Sequence, residues 1–329
     1  MIEVKGLTKQ YGSHTAVSDL TFTVDNGQIY GLLGPNGAGK TTTMNIITGC
    51  LAATAGQVSI DGHDIFEEPE AAKRLIGYLP EMPPLYQDMT PKEYLEFVAR
   101  AKGVKTADLS EQLLQVIQIT QIAEVQNRLN KNLSKGYKQR VGIAQALLGD
   151  PEIIILDEPT VGLDPKQIIE IRSLIKTLGK THTVILSSHI LSEVRAICDS
   201  IMILSNGKLV ASDTPENLER LFAGSSTMEL TVKASREEAQ QAFLTVSGLS
   251  QIEYAPGKSA GFLDITLSYA KATAPAEEIF FAFCRLQRPI LKMTETHVSL
   301  EDIFIELTSE KENAPQLLEE VKTEKGERA

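Results

Sequence analysis

The sequence predicts an α/β protein of two domains, because three features coincide. Short apolar runs at residues 153–156 and 184–186, rich in β-branched side chains, are typical of buried parallel strands. A third apolar run, residues 29–33, continues directly into a glycine-rich loop. The chain has 329 residues, which exceeds one core of ordinary size.

The first sixty residues are predicted to form an antiparallel β subdomain. Ile2, Val4 and Leu7 lie in a strand that leads to a turn at residues 11–12. A second strand is predicted at residues 21–24, and another at residues 58–60. Residues 26–27, Asn-Gly, are a strong hairpin signal after the second run. We therefore expect a hairpin there.

A helical insertion is predicted at about residues 82–150. Residues 90–93, TPKE, form a capping box with Pro at the first helical position. Leu113, Leu114, Ile117 and Ile122 continue the helical character. After the insertion, residues 164–165, Asp-Pro, are expected to cap a helix of ~14 residues.

A smaller α+β domain is predicted at residues 223–308. Apolar residues alternate as in strands at 228–232 and 263–267, and they recur at helical spacing at Ala276, Ile279, Phe280 and Phe283. This pattern predicts a ferredoxin-like order of strand, helix, strand, strand, helix, strand. Ser299 is expected to cap a further helix. We thus divide the chain into residues 1–222, residues 223–308 and a charged, flexible tail at 309–329.

Composition excludes several classes of protein. Hydrophobic residues make up 42% and charged residues 23%, which excludes wholesale disorder. The net charge of −11 argues against general nucleic-acid binding. We see no apolar run of the ~18 residues that span a bilayer and no signal peptide. The three cysteines are scattered along the chain, so we expect a cytoplasmic chain with reduced thiols.

The strongest motif is GPNGAGKT at residues 34–41, which fits the pattern G-x-x-x-x-G-K-[ST]. It lies between a predicted strand and a predicted helix, as a phosphate-binding P-loop does. Glycines allow backbone N–H groups to converge on phosphate, and the helix N-terminus adds positive charge. We expect Lys40 to pair with the β- and γ-phosphates of a nucleotide and Thr41 to ligate Mg²⁺.

A second motif, residues 153–158, is an apolar strand that ends in two carboxylates, which is the Walker B arrangement. Asp157 is expected to reach Mg²⁺ through water, and Glu158 to polarise the attacking water. The alternative is a buried strand with a solvated acidic end, and the P-loop makes that alternative the weaker one.

A third motif distinguishes among P-loop proteins. Residues 133–137, LSKGY, begin a predicted helix upstream of the Walker B strand. Together with Tyr11, the P-loop, residues 157–165 and His189, this motif resembles the ATP-binding cassette (ABC) ATPase family over about residues 1–220. The resemblance implies an ABC-type P-loop NTPase core with an antiparallel β subdomain and a helical insertion.

The resemblance also implies roles for individual residues. Tyr11 would stack on adenine, while a packed aromatic at a turn remains the alternative. The ATP phosphates and Mg²⁺ would be held by the P-loop residues Asn36, Gly37, Ala38, Gly39, Lys40, Thr41 and Thr42. The signature residues Ser134, Lys135 and Gly136 would act on the ATP of the opposite subunit. Asp164 would cross the dimer interface, and His189 would sense the γ-phosphate, unless it is a capping or core histidine.

Two positions depart from the family pattern. In the loop before the helical insertion, the family usually has Gln, whereas this chain has Glu81. Its carboxylate can ligate Mg²⁺ or position water, but it adds negative charge beside the γ-phosphate. The usual signature is L-S-G-G-Q, and Lys135 and Tyr137 here replace one glycine and the glutamine. Because the helix N-terminus still offers N–H groups, we expect an active signature.

The variant signature, continued as KQR, and residues 298–304, VSLEDIF, resemble the type-2 branch of ABC exporters. In that branch the ATPase is a separate chain that docks on a membrane permease. The resemblance implies a peripheral ATPase subunit in which two copies, or one copy and a homologue, sandwich two ATP. Residues 78–90 would carry the docking surface, and residues 82–86 are apolar; simple loop packing is the alternative.

Two other functions stay open. A soluble ABC ATPase acting on ribosomes or nucleic acid usually carries two cassettes or a long coiled coil, and the acidic balance disfavours it. A nucleotide-binding switch without hydrolysis is disfavoured by Glu158 and His189. The sequence predicts neither the transported substrate nor the role of the C-terminal domain.

Overall fold

A computed structural model divides the chain into two compact units, Met1–Pro215 and Glu216–Glu306. The structure describes residues 1–222, 225–257, 259, 261–270, 275–296 and 300–308. The predicted tail at 309–329 and the predicted cap Ser299 lie outside these ranges. The predicted domain boundary at residue 222 lies near the division and stays a prediction.

Residues 1–222 contain ten strands, numbered in chain order. They are β1 Ile2–Tyr11, β2 His14–Val24, β3 Ile29–Leu33, β4 Ala55–Ile60, β5 His63–Asp64, β6 Ile76–Leu79, β7 Ile153–Leu156, β8 Thr183–Ser188, β9 Ser200–Ser205 and β10 Lys208–Asp213. The antiparallel sheet has the order β2-β1-β4-β5, and the second sheet has the order β10-β9-β3-β8-β7-β6.

The helices of this part of the chain lie between those strands. They are α1 Lys40–Ile47, α2 Pro69–Arg74, α3 Pro91–Ala101, α4 Leu109–Ile119, α5 Lys135–Leu147, α6 Pro165–Leu178, α7 Leu191–Ile197 and α8 Pro215–Phe222, with short 3₁₀ turns at Ala123–Val125 and Asn130–Asn132. The predicted helical insertion is thus confirmed as α3, α4 and α5.

The hairpin predicted at Asn26-Gly27 is wrong. The hairpin joins β1 to β2, which pair from Ile2 opposite Val24 to Tyr11 opposite His14. The chain after Asn26-Gly27 enters β3, which pairs in parallel with β8 and β9 in the other sheet. All five residues of β3 are buried, so this apolar strand belongs in the core and not at the β1–β2 edge.

Strands β9, β3, β8, β7 and β6 run parallel, and their carboxyl ends therefore meet at one edge. The strands predicted at 153–156 and 184–186 are confirmed in this sheet. Strand β6 was not predicted, because its sequence, IGYL, is short and contains a glycine. The glycine is needed, since a Cβ at Gly77 would collide with the carbonyl of Ala146 on α5.

Helix ends follow their sequence signals. The capping box of α3 is confirmed: Thr90 N donates to Glu93 Oε2 at 2.8 Å, and Thr90 Oγ1 accepts from Glu93 N. The 14-residue helix α6 begins after Asp164, whose Oδ1 accepts from Gln167 N at 2.9 Å. At the end of α5, Lys102 Nζ donates to backbone carbonyls of residues 145, 146 and 148, and burial lowers the pKa of Lys102 to about 8.

The second unit has the predicted ferredoxin-like order. Its described elements are β11 Ser225–Val232, α9 Arg236–Phe243, β12 Leu249–Pro256, β13 Leu263–Ala270, α10 Ala276–Arg285, β14 Ile290–Thr296 and α11 Leu300–Thr308. The antiparallel sheet has the order β12-β13-β11-β14. Ile279 and Phe283 of α10 are buried against it, whereas Phe280, predicted on the same face, is half exposed because it lies one residue further round the helix.

Candidate functional site

The P-loop connects the buried strand β3 to helix α1. Gly37 and Gly39 have φ angles of +83° and +101°, which L side chains rarely adopt. A Cβ at Gly39 would also lie 2.6 Å from the carbonyl oxygen of Ala16 in the antiparallel sheet. Glycine is therefore required at this position both for the turn and for the close approach of β2.

Lys40 lies at the N-terminus of α1 with only 6% of its side chain exposed. Its Nζ donates to Gly34 O at 2.9 Å and to Pro35 O at 3.2 Å, and lies 3.4 Å from Glu158 Oε1. The P-loop carbonyls and Glu158 thus hold the ammonium group inside the loop. A phosphate would compete with Glu158 for this cation.

Glu158 links three elements at the edge of the parallel sheet. Its φ angle of +45° is unusual for a side chain of this size, and its N–H donates to Ser187 Oγ at 2.8 Å. While Oε1 faces Lys40, Oε2 lies 2.9 Å from His189 Nδ1. The carboxylate is therefore held between a lysine and an imidazole, which fixes its orientation.

Asp157 is fully buried at the end of β7. Its Oδ1 accepts from Ser187 Oγ at 2.5 Å, but within the described residues Oδ2 has no hydrogen-bond partner. A buried carboxylate oxygen without a partner is costly. A water molecule on Mg²⁺ would satisfy it, so the residues present fit this cation.

The described residues contain no cluster of three or more His, Cys, Asp or Glu side chains that could hold a metal. Such a cluster is not needed at a P-loop, where Mg²⁺ takes one or two protein ligands together with phosphates and water. Asp157 and the exposed Thr41 would suffice.

The charge of Asp157 also acts on a neighbouring tyrosine. Burial, and then the charge of Asp157, raise the pKa of Tyr78, which stays neutral and donates to Asn45 Oδ1 at 3.0 Å.

Lys40, Glu158 and His189 line an open cleft of about 700 Å³, called the P-loop cleft below, and the buried Asp157 does not line it. The structure brings together most of the predicted nucleotide-binding and catalytic residues there: Tyr11, Asn36, Gly37, Gly39, Lys40, Thr41, Thr42, Glu81, Glu158 and His189. Ala38 is instead buried, with its N–H donating to Pro35 O at 3.1 Å. His14, Ala16 and Val161 also line the cleft. None of these three was predicted, although a hairpin that pairs His14 with Tyr11 would have indicated His14.

Tyr11 lies at this cleft with 49% of its surface exposed. Lys9 Nζ lies 5.2 Å from the centroid of its ring. The ring is not packed in a core, which disfavours the alternative of a packed aromatic at a turn. Adenine stacking stays a prediction.

Three further predicted residues, Ser134, Gly136 and Asp164, line a second cleft of about 600 Å³, called the signature cleft below, whereas Lys135 is exposed and lines neither cleft. Ser134 and Gly136 lie at the start of α5, and Asp164 lies at the start of α6, so two helix N-termini meet there. A Cβ at Gly136 would lie 2.7 Å from the end of the Gln167 side chain, which would have to shift for any larger residue. Lys40, Glu158 and His189 do not line this cleft.

Polar side chains hold the wall of the signature cleft in place. Arg140 donates to Glu170 Oε2 at 2.8 Å and to Thr120 O at 2.9 Å. The hydroxyl of Tyr137 donates to Glu124, and this hydrogen bond raises the pKa of Tyr137. Both residues are on α5, so the helix that carries the signature is anchored to its neighbours.

Comparison with known proteins gives consistent results. Residues 17–161 match the family model described as ABC transporter. The linearmycin resistance ATP-binding protein LnrL of Bacillus subtilis (strain 168) is 31% identical over 314 residues, which are 94% of this chain and 98% of LnrL. The bacitracin transport ATP-binding protein BcrA of Bacillus licheniformis is 40% identical over 222 residues, 67% of this chain and 72% of BcrA.

A solved structure is similar as well. It is a dimeric, post-hydrolysis state of the ATP-binding cassette MJ0796 bound to ADP and Pi, with 27% identity and a TM-score of 0.59. The similarity covers 65% of this chain and 98% of that cassette. The match with LnrL therefore extends beyond one cassette.

Proposed function

The chain belongs to the ABC transporter family of ATP-binding proteins, and from this membership we propose that it is the ATPase subunit of an exporter. As a member of this family it binds ATP and hydrolyses it to ADP and phosphate. The observation that carries the proposal is the P-loop cleft, in which Lys40, Glu158 and His189 meet at one edge of the parallel sheet.

Each of these side chains can do one part of the chemistry. Lys40 pairs with phosphate, and Glu158, released from Lys40, accepts a proton from the attacking water. His189 keeps the Glu158 carboxylate oriented through the 2.9 Å contact. Asp157 and Thr41 would hold Mg²⁺, which would supply charge neutralisation at the phosphates. Glu81 lines the same cleft and is a further candidate ligand.

The active unit in this proposal is a head-to-tail dimer. Ser134 and Gly136 line a cleft separate from that of Lys40, and so cannot complete its site from where they lie in the same chain. The N-termini of α5 and α6 present partial positive charge that suits the γ-phosphate of a second subunit. The similarity to a dimeric cassette supports this arrangement.

Mixing two damaged chains tests the dimer. Lys40→Ala removes the phosphate lysine, and Ser134→Arg blocks the signature, so neither homodimer has an intact site. In a mixed dimer, the intact P-loop of the second chain faces the intact signature of the first. ATPase activity should therefore reappear on mixing. If no activity returns, and light scattering shows no ATP-dependent dimer in Glu158→Gln protein, the sandwich is excluded.

Coupling to a membrane permease is the second part of the proposal. In the described ranges no helix is long and apolar enough to cross a bilayer. Met82 and Tyr86 in the loop after β6, and Phe97 on α3, are 82%, 52% and 45% exposed. Leu85 of the same loop is buried and the ring of Tyr86 lies 5.5 Å from that of Phe97, so loop packing explains Leu85 and part of Tyr86 but leaves Met82 exposed. This exposed apolar group is the proposed docking surface for the permease.

The relatives named for linearmycin resistance and bacitracin transport favour an exporter over a soluble factor acting on ribosomes or nucleic acid. We place the chain on the cytoplasmic face of the membrane, bound through its permease. Cell fractionation with and without the neighbouring permease gene tests this placement. Recovery in the soluble fraction under both conditions would favour the soluble factor.

A further inference from the structure

Two charged side chains that depart from the family pattern lie on the two faces that the proposed dimer brings together. Glu81 lines the P-loop cleft, and Lys135 is the first residue of α5 at the signature. Both are exposed, and neither has an ion-pair or hydrogen-bond partner among the described residues. We propose that Glu81 of one subunit forms an ion pair with the partner's Lys135 across the bound nucleotide. The pair rests on the proposed head-to-tail dimer of two copies of this chain.

The position of Lys135 favours contact with a second subunit. Its side chain lies across Gly162, where a Cβ would collide with Lys135 Nζ. Gly162 has a φ angle of +66° and lies between Val161, which lines the P-loop cleft, and Asp164, which lines the signature cleft. The ammonium group therefore lies on the segment between the two clefts.

The position of Glu81 leaves an unmatched negative charge. Glu81 follows β6, whose end lies at the same sheet edge as Glu158. The cation of this cleft, Lys40, already lies 3.4 Å from Glu158. ATP brings further negative charge to the same place. A lysine from the partner would offset Glu81, and it would do so where water is excluded and charges interact more strongly.

The two departures also balance each other. Relative to the family pattern, Glu in place of Gln adds one negative charge, and Lys in place of Gly adds one positive charge. In a head-to-tail dimer both changes fall on the same composite site, so its net charge is kept. Within a single chain Glu81 lines the P-loop cleft and Lys135 does not, so no such balance results.

Charge reversal gives a sharp test. In the full-length chain with Glu158→Gln, which retains bound ATP, we compare Glu81→Lys, Lys135→Glu and their mixture. Homodimers of either variant face like charges at both sites. In the mixed dimer, the two substituted side chains face each other at one site and the two native side chains face each other at the other, so both sites are complementary. Light scattering of differently tagged chains measures the ATP concentration needed for half-maximal dimer formation.

We expect each variant alone to need about tenfold more ATP, or more, than the parent, and the mixture to form heterodimers near the parental value. A matched control reverses the exposed Lys92 and Glu111, which line neither cleft, and should shift nothing. ATP affinity of the monomers, measured separately, corrects for any effect of Glu81→Lys on nucleotide binding.

The possible outcomes distinguish a failure of the proposed ion pair from a failure of the proposed dimer. If the parent dimerises and mixing does not rescue the variants, the ion pair is wrong and the dimer stands. A defect confined to Lys135→Glu, with Glu81→Lys unaffected, would assign Lys135 to the γ-phosphate instead and also overturn the pair. A parent that stays monomeric with saturating ATP would exclude the homodimer itself.

Discussion

The P-loop cleft and the signature cleft are lined by different kinds of structure. The first lies where parallel strands end, and it combines a buried lysine with carboxylates and a histidine. The second lies where two helices begin, and Ser134, Gly136 and Asp164 line it together with charged side chains such as Arg140 and Glu170. The first cleft brings together the groups that hydrolysis needs, while the second presents two helix N-termini among charged side chains.

This difference explains why both are needed. In the P-loop cleft, Lys40 would contact the phosphates from one side, and the cleft itself is open. Helix N-termini are suited to close that side, since their backbone N–H groups attract anions. Substitutions in the two clefts should therefore affect different steps.

The largest effect is expected in the P-loop cleft. Glu158→Gln should lower ATP turnover by about 10²–10⁴-fold, since the general base is lost. ATP affinity should be kept or increased, because Lys40 loses its 3.4 Å competitor. Steady-state ATPase assays and nucleotide titration measure the two effects. The same change at exposed Glu152, at the other end of β7, is the matched control, and equal activity of the two variants would remove Glu158 from the mechanism.

An intermediate effect is expected in the signature cleft. Gly136→Ala places a Cβ 2.7 Å from the end of the Gln167 side chain, which must shift to make room. We expect ATPase activity to fall roughly tenfold, about 1.4 kcal/mol, because the added methyl group lies at the helix N-terminus that would face the partner's phosphate. Monomer ATP affinity should not change, since Gly136 does not line the P-loop cleft. A weaker ATP affinity would contradict the separation of the two clefts.

A smaller effect is expected at the edge of the P-loop cleft. Tyr11→Ala should weaken ATP binding by about 1–2 kcal/mol, the scale of one base–aromatic stack. Tyr11→Trp should be tolerated, since a larger ring can also stack. Titration with ATP and with inorganic triphosphate distinguishes adenine stacking from phosphate binding. Equal ATP affinity of Tyr11→Ala and the parent would exclude stacking.

The smallest effect is expected outside both clefts. Thr90→Ala removes the capping box of α3 and should cost about 1 kcal/mol of stability, or ~2–4 °C in Tm. ATPase activity of the folded protein should be unchanged at about 25 °C, well below the expected transition. Calorimetry and an activity assay on the same sample check this. Loss of activity without loss of Tm would instead link α3 to one of the clefts.

Most of the P-loop cleft was predictable because its parts are local. Residues 34–41 contain the strand end, the glycines and the helix start in one segment, and the buried strand before Asp157 is equally short-range. Ser187 was not predicted, although its hydroxyl contacts both Asp157 and Glu158 N. Its strand becomes the neighbour of β7 only in the folded sheet.

Local signals failed where partners are distant in sequence. Asn26-Gly27 makes a turn, but the pairing of β3 with β8 and β9 decides that no hairpin forms there. Strand β6 has no periodicity of its own, and it exists as the edge partner of β7. In both cases the pairing strand, and not the turn or the residue pattern, determines the structure.

The sequence by itself determined the P-loop, the Walker B carboxylates, the helix caps and the ferredoxin-like order of the second unit, because backbone conformation, capping and hydrophobic periodicity act over a few residues. Only the tertiary structure decided that Ser187 holds Asp157 and that Glu158 lies between Lys40 and His189. It also decided that the signature faces a different cleft from the P-loop. Those features depend on which strands pair and on which helices meet, and these contacts join residues that are far apart in the chain.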